Sequence, residues 1–369
     1  MNRLVCVKCG AAYDLNEARW SCDCGGLLDI EFEAGLDPAA AAAGGPTMWR
    51  YRGAIPITDD ADIVTLGEGM TPLREYPIAG RTVLVKEEYL NPTGSFKDRG
   101  ASVLASRLKA AGIDRAVEDS SGNAGAAMAA YCREAGVECA VYVPESVRAE
   151  KADRIRRYGA EVRQVRGSRE DCAREAQRAA RKTYYASHSH DPFFLQGTKT
   201  FAYETCEQLD WQVPDAVVLA VGNGTLLLGA YIGFKDVLGA GLADRMPRLI
   251  GVQATACAPL YRAFHEAGEP GDAGIEVAAG ETMADGIAIA SPVRGPQILD
   301  AVRETGGTFF AVDDPEIVAA LRDVAGKGFQ IEPTAAVALA GLARYLARAE
   351  PAGIVVTAFT GNNAAAVEY

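Results

Sequence analysis

The chain has 369 residues, 49% of them hydrophobic and 23% charged, which is enough for two domains and a sizeable core. A formal net charge of −12 excludes a general nucleic-acid binder, which needs a basic face to neutralise phosphates, so any anionic ligand must be held locally. No apolar run reaches the roughly 18 residues of a membrane span and no signal-like pattern opens the chain, so no membrane partner and a cytoplasmic location are expected. Nine cysteines, an odd number, fit reduced thiols better than a disulfide framework.

The first element is a cysteine ribbon. Cys6 and Cys9 form one pair, and Cys22 and Cys24 form a second beyond a short hairpin. Two such turns bring four thiolates to the corners of a tetrahedron, the arrangement of structural zinc, with no open position for catalysis. A ribbon without metal is the alternative. Residues 34–60 are rich in Ala, Gly and Pro and read as a linker, with Met48, Trp49 and Tyr51 as its packing anchors. Residues 63–72 and 82–87 read as short strands leading to Asn91-Pro-Thr-Gly-Ser-Phe-Lys97-Asp-Arg-Gly100.

That turn breaks regular structure, and a helix follows it, with Ser95 as the expected N-cap. Ala101, Val103, Leu104 and Leu108 recur at helical spacing, which puts Lys97 in the first turn. The positive end of a helix lowers an amine's pKa, and a less protonated amine attacks carbonyls. A solvated surface lysine is the competing reading.

From Lys97 onward, apolar strands alternate with helices of 10 to 15 residues. Strands are expected at 115–118, 139–143, 161–165, 216–220, 248–253 and 353–358, with helices such as 124–135 and 168–182 between them. The alternation predicts an α/β fold with mostly parallel sheets, whose ligands sit beyond the carboxyl ends of the strands. The charged stretch 148–157 reads as a solvated helix face. Three turns have suitable chemistry. Asp119-Ser-Ser-Gly-Asn123-Ala-Gly125 offers hydroxyls, an amide and helix N–H groups to a carboxylate, or is a structural cap. Gly222-Asn-Gly224-Thr225, after an apolar strand and before a helix, is a nest suited to one phosphate; it lacks the third glycine of a dinucleotide fingerprint and the Gly-Lys-Ser/Thr of a Walker loop. Thr360 tops the last strand and offers one hydroxyl, or simply ends the strand. His188, His190 and His265 form no hydrolase or zinc-protease motif, and Cys132, Cys139, Cys172, Cys206 and Cys257 read as buried small hydrophobes.

A lysine amine, a phosphate nest, an asparagine turn and a lone hydroxyl match the aldehyde, phosphate, ring oxygen and ring nitrogen of pyridoxal 5'-phosphate. The chain resembles the threonine synthase family within the fold-type II (tryptophan synthase β-like) pyridoxal-phosphate enzymes. The motifs that carry this are 66–73 (LGEGMTPL), 91–100, 119–125, 193–204 (FFLQGTKTFAYE), 222–225 and 332–334 (EPT), with the cysteine ribbon in front. The resemblance implies two open, twisted, mostly parallel sheets flanked by helices, with a small N-terminal zinc-ribbon-like module at 1–33. It further implies a linker at 34–62, a large cofactor-binding domain from 63–108 and 192–369, and a small α/β domain at 109–191.

By the same resemblance, Lys97 makes the Schiff-base link and shuttles the α-proton, and Asn123 meets the ring oxygen. Gly222, Asn223, Gly224 and Thr225 hold the cofactor phosphate, and Thr360 faces the ring nitrogen. Ser120, Ser121, Gly122 and Ala124 receive the amino-acid substrate. Cys6, Cys9, Cys22 and Cys24 are the zinc ligands, and the assembly is a homodimer. A neutral hydroxyl at the ring nitrogen suits elimination or replacement over transamination. The implied reaction is O-phospho-L-homoserine plus water to L-threonine and phosphate. Where the family continues from Thr-Gly into His/Ser-Gly-Leu-Lys, this chain has Asn362 and Asn363. A β-elimination or β-replacement enzyme acting on serine, threonine or O-phosphoserine therefore stays open, as does a cofactor-binding protein without turnover. Arg99, Lys199 and Lys235 are the candidate partners of an anionic leaving group.

Overall fold

Apolar, β-branched runs become the buried strands in the computed structural model, which describes residues 2–266, 277, 280–348 and 353–362. The chain divides into two units, Met1–Gly69 with Asn91–Thr200, and Met70–Leu90 with Phe201–Tyr369.

The first unit opens with the ribbon. Strands β1 (Arg3–Cys6), β2 (Ala12–Asp14) and β3 (Leu28–Glu31) form an antiparallel sheet in the order β2-β1-β3. Helix α1 (Pro38–Ala43), capped by the Asp37 side chain, and a 3-10 segment at Met48–Ala54 follow, and the latter buries Met48, Trp49 and Tyr51. The chain next supplies β4 (Leu73–Ile78) and β5 (Arg81–Lys86) to the second unit. It returns to the first with α2 (Lys97–Ala110), β6 (Arg115–Glu118), α3 (Asn123–Glu134), β7 (Glu138–Pro144), α4 (Ala149–Arg157), β8 (Glu161–Val165), α5 (Arg169–Ala179), β9 (Tyr184–Tyr185) and α6 (Pro192–Thr198). These strands form a parallel sheet, β8-β7-β6-β9. One core spans the unit: Leu4, Leu15 and Leu28 of the ribbon belong to the same buried cluster as Leu104, Leu108, Met128 and Phe194.

The second unit continues with α7 (Thr200–Glu207), β10 (Ala216–Ala220), α8 (Thr225–Gly239), β11 (Arg248–Ala254), α9 (Pro259–His265), α10 (Gly295–Glu304), β12 (Thr308–Val312), α11 (Asp314–Gly326), α12 (Pro333–Arg348) and β13 (Val355–Ala358). Its six strands lie in the order β12-β11-β10-β13-β5-β4, all parallel except the β4–β5 hairpin. The expected fold class, open and mostly parallel sheets with helices, is the one observed.

Three expectations differ in detail. Residues 63–72 form no strand: Gly67, Gly69 and Met70 all have positive φ (96°, 95° and 48°), so the chain loops around the buried Glu68. Ser95 is not the N-cap of α2, a position Phe96 fills without a side-chain bond. The sequence division placed the Lys97 helix with the larger, C-terminal part, whereas it groups with the first unit, where Gly100 abuts the Phe194 ring and residue 197 meets the Arg99 carbonyl. Neither glycine admits a side chain.

Candidate active site

In the first unit, the Lys97 turn is held by buried carboxylates. Gly94 takes φ of 84° and its N–H donates to the Asn91 carbonyl at 2.7 Å, closing the turn. Asn91 Oδ1 in turn accepts from Gly69 N–H at 3.0 Å, tying this turn to the Glu68 loop. Glu68 is fully buried and accepts from Trp49 Nε1 at 3.0 Å, the Tyr131 hydroxyl at 2.7 Å and Leu66 N–H at 2.9 Å. Next to Lys97, Asp98 accepts from the backbone and the hydroxyl of Thr93. Burial, helped by the Glu68 charge, pushes Asp98 up to about 7 against the pull of Thr93 and Arg154. Lys97 itself is half-buried, its Nζ 4.7 Å from the Phe96 ring centre and 5.8 Å from that of Phe194, so it is not an ordinary solvated lysine.

The second turn of this unit joins β6 to α3. Asn123 is the first residue of α3, preceded by Gly122 with no side-chain cap, so the helix opens with unsatisfied N–H groups at its positive end. Ser120 is buried and its Oγ accepts from Gly122 N–H at 3.3 Å, whereas Ser121, Gly122 and Asn123 are partly exposed and Ala124 is buried. A Cβ on Gly125 would lie 1.9 Å from the Ser120 carbonyl oxygen, so the helix packs this tightly only with glycine. Asp119 accepts from the Tyr185 hydroxyl at 3.0 Å, which steadies the turn from behind. Arg154 of α4 donates to Asn123 Oδ1 at 3.0 Å and also to the Thr93 carbonyl. The stretch 148–157 is therefore not uniformly a solvated face: Ala152 and Ile155 are buried, and Arg154 joins the two functional turns.

His188 was not expected to have a role, yet it is buried with Nδ1 2.7 Å from Glu118 Oε1. Burial pushes Glu118 up and His188 down, and the Lys97 charge adds to the effect on His188. The pair is thus held neutral, a carboxylic acid facing an imidazole.

In the second unit, Gly222–Thr225 and Thr360 follow the parallel neighbours β10 and β13, so both turns lie past the carboxyl ends of adjacent strands. Gly224 takes φ of 71° as the N-cap of α8, with no side-chain cap. A Cβ on Gly222 would come within 2.9 Å of Ile287 Cα, and one on Gly224 within 2.3 Å of Ile298 Cδ1. Asn223 is partly exposed and Thr225 buried at the start of α8. Thr360 Oγ1 is buried without a hydrogen-bond partner among the described residues.

The sulfurs of Cys6, Cys9, Cys22 and Cys24 all lie within 4.8 Å of one another. Separations of 3.5 Å (Cys6–Cys24) and 3.6 Å (Cys9–Cys22) approach the roughly 3.8 Å edge of a tetrahedron with metal–sulfur bonds of about 2.3 Å. The Tyr13 hydroxyl lies 2.9 Å from Cys22 Sγ. The other cysteines are buried, as read from the sequence. Of the cations considered for a leaving group, Arg99 and Lys199 are buried, Arg99 against the Thr200 hydroxyl, and Lys235 is exposed beside Glu304. Sequence reasoning missed Glu68, Asp98, Arg154 and the Glu118–His188 pair; only the first two sit inside motifs that could have flagged them.

Residues 64–361 match the model of the family described as pyridoxal-phosphate dependent enzyme. The chain is 38% identical over 354 residues to threonine synthase of Methanocaldococcus jannaschii, covering 92% of this chain and 87% of that protein. It is 35% identical to threonine synthase of Methanosarcina acetivorans, with 93% and 86% covered. Among solved structures, a bacterial-type threonine deaminase given only as from T.th. superposes with a TM-score of 0.65 at 26% identity over 79% of this chain and 92% of that one. Among the described residues, no helix is long and apolar enough to cross a membrane.

Proposed function

The chain belongs to the pyridoxal-phosphate dependent enzyme family and groups there with the threonine synthases; on that premise, we propose that it converts O-phospho-L-homoserine and water to L-threonine and phosphate. The observation that carries this is the likeness to threonine synthases across nine-tenths of the chain, with Lys97 and the glycine nest both in place.

The residues fit the cofactor. An orphaned buried hydroxyl at Thr360 and a nest that a Cβ at 222 or 224 would fill suit a ring nitrogen and a phosphate. When bound, the cofactor supplies an aldehyde for an amine and an electron sink for the substrate's α-carbon. Lys97 provides that amine and afterwards takes and returns protons. Gly222, Asn223, Gly224 and Thr225 grip the phosphate with backbone donors at a helix N-terminus. Asn123 donates to the ring oxygen, and Thr360 meets the ring nitrogen without protonating it. Ser120, Ser121, Gly122 and Ala124, at the positive end of α3, receive the substrate carboxylate. The ribbon holds a structural zinc, and the enzyme works as a cytoplasmic homodimer, which light scattering checks.

Two assays decide the matter. The purified protein should show a visible band that borohydride bleaches, and should release phosphate from O-phosphohomoserine without a 2-oxo acid. Absence of the band would remove the reading. The second reading, β-elimination on serine or threonine, is favoured by the likeness to threonine deaminase and by Asn362 after the last Thr-Gly; a 2-oxo acid from either amino acid would establish it. Lys97→Ala should abolish the band and turnover while leaving circular dichroism unchanged, because a half-exposed first-turn side chain contributes little to folding.

A further inference from the structure

We propose that Arg154 is a positioning residue which fixes the orientation of the Asn123 amide, so that its NH2 group is the one presented to the cofactor. The inference rests on the assignment of Asn123 given above. It starts from three atoms of the first unit. Arg154 Nη1 lies 3.0 Å from Asn123 Oδ1, and Nη2 donates to the carbonyl of Thr93, in the turn that leads to Lys97. One guanidinium thus spans two turns that are 30 residues apart in the chain, counting from Thr93 to Asn123.

The chemistry of the two side chains sets the direction. A guanidinium has donors and no acceptor, so the amide atom facing it must be the oxygen. An amide has one oxygen and one NH2 group. Once the oxygen is engaged by a fixed cation, the group left to turn towards an outside partner is the donor. A deprotonated ring oxygen needs a donor, and an amide turned the other way would set two oxygens against each other. Without Arg154 the two amide orientations differ little. The planar fork of arginine is also what reaches Thr93 and Asn123 together; a lysine offers a point charge.

The helix explains why this arginine differs from its neighbours. Ala152 and Ile155 bury one face of α4. Arg156 pairs with Asp153 on the exposed side, whereas Arg154 sits at the flank and turns to Asn123. Its charge also acts on Asp98, beside Lys97.

A double-mutant cycle tests the assignment, with wild type, Arg154→Ala, Asn123→Ala and the double variant titrated with pyridoxal phosphate. Each single variant should weaken cofactor binding about tenfold and shift the visible band in the same direction, and the double variant should be no worse than Asn123→Ala. Losses that multiply, or an Arg154→Ala protein with unchanged band and affinity, would overturn the proposal. If Arg154→Ala does not fold, Arg154→Lys serves: the same band shift with a smaller loss supports the clamp, and an unshifted band with unchanged affinity refutes it. An Asn123→Ala protein that binds cofactor normally removes this inference and the role of Asn123 alone, because the enzyme assignment stands or falls separately on the wild-type band.

Discussion

At Thr360 a hydroxyl is buried with no partner among the described residues, an arrangement that costs about 1–3 kcal/mol if nothing else satisfies it. Replacement by the isosteric valine should therefore leave the cofactor-free protein as stable as before, or about 1 kcal/mol more so, while weakening cofactor binding. Denaturant unfolding and a cofactor titration measure both; a less stable apoprotein with unaltered cofactor affinity would mean that the hydroxyl serves the fold. Asp98 makes a second test through pH. Its folded pKa of about 7 lies above the ordinary aspartate value of 3.8, so between those limits the unfolded chain loses its proton while the folded chain keeps it. The stability contributed by the protonated form is complete below pH 3.8 and is lost as pH rises towards 7, by at most about 4 kcal/mol at roughly 1.4 kcal/mol per pH unit. Asp98→Asn should flatten that part of the stability curve, and a slope unchanged by the substitution would show that another group titrates there. Lys97 and the glycines of 222–224 were legible in the sequence because their residue types carry the chemistry directly. Arg154 and His188 were not, because their importance depends on partners such as Asn123 and Glu118 that the fold brings to them.

The elements divide in the same way. β6, β8 and β10 fall where apolar runs predict them, since a strand buried on both faces must be apolar throughout and even the half-exposed β8 keeps a valine at alternate positions. Residues 63–72 mislead for the opposite reason: the apolar pattern is real, but Gly67 and Gly69 allow a positive φ that turns the backbone around Glu68 instead of extending it. α3 and α8 share a design, each beginning after a glycine without a side-chain cap, which leaves first-turn donors available for an anion. Gly222→Ala should show how closely the second of these is built. Its Cβ would meet the backbone of Ile287 at 2.9 Å, and a main chain yields less readily than a side chain. A loss of about 1–3 kcal/mol in stability is expected, with phosphate-dependent cofactor affinity falling more than that of Thr360→Val. An alanine variant with wild-type affinity would mean that the nest is looser than its geometry indicates.

For the molecule as a whole, the alternation of strands and helices set the class, yet the grouping of elements was hidden because it depends on contacts between distant segments. β4 and β5 leave the first unit to complete the six-stranded sheet of the second, and the helix after them returns. The ribbon was legible as a metal module, but its place was not: Leu4, Cys6, Leu15, Cys22 and Leu28 lie in the same buried cluster as Leu104 and Leu108 of α2. It is bonded there as well, with Arg107 of α2 donating to the Glu17 carbonyl at 2.9 Å and Trp20 set edge-on to Tyr185 at 5.0 Å. A metal that organises the ribbon therefore supports the core beneath Lys97 without entering the chemistry, because four thiolates fill a tetrahedral ion. The purified protein should carry about one zinc per chain by elemental analysis, and the exposed-ligand variants Cys9→Ser and Cys24→Ser should lose it. Chelation should lower the melting temperature and quench or shift Trp20 fluorescence before the visible cofactor band changes, since the metal's binding energy is spent on folding. Loss of the band at the same chelator concentration as the metal, with the melting temperature unmoved, would place the ion in catalysis and contradict the structural role.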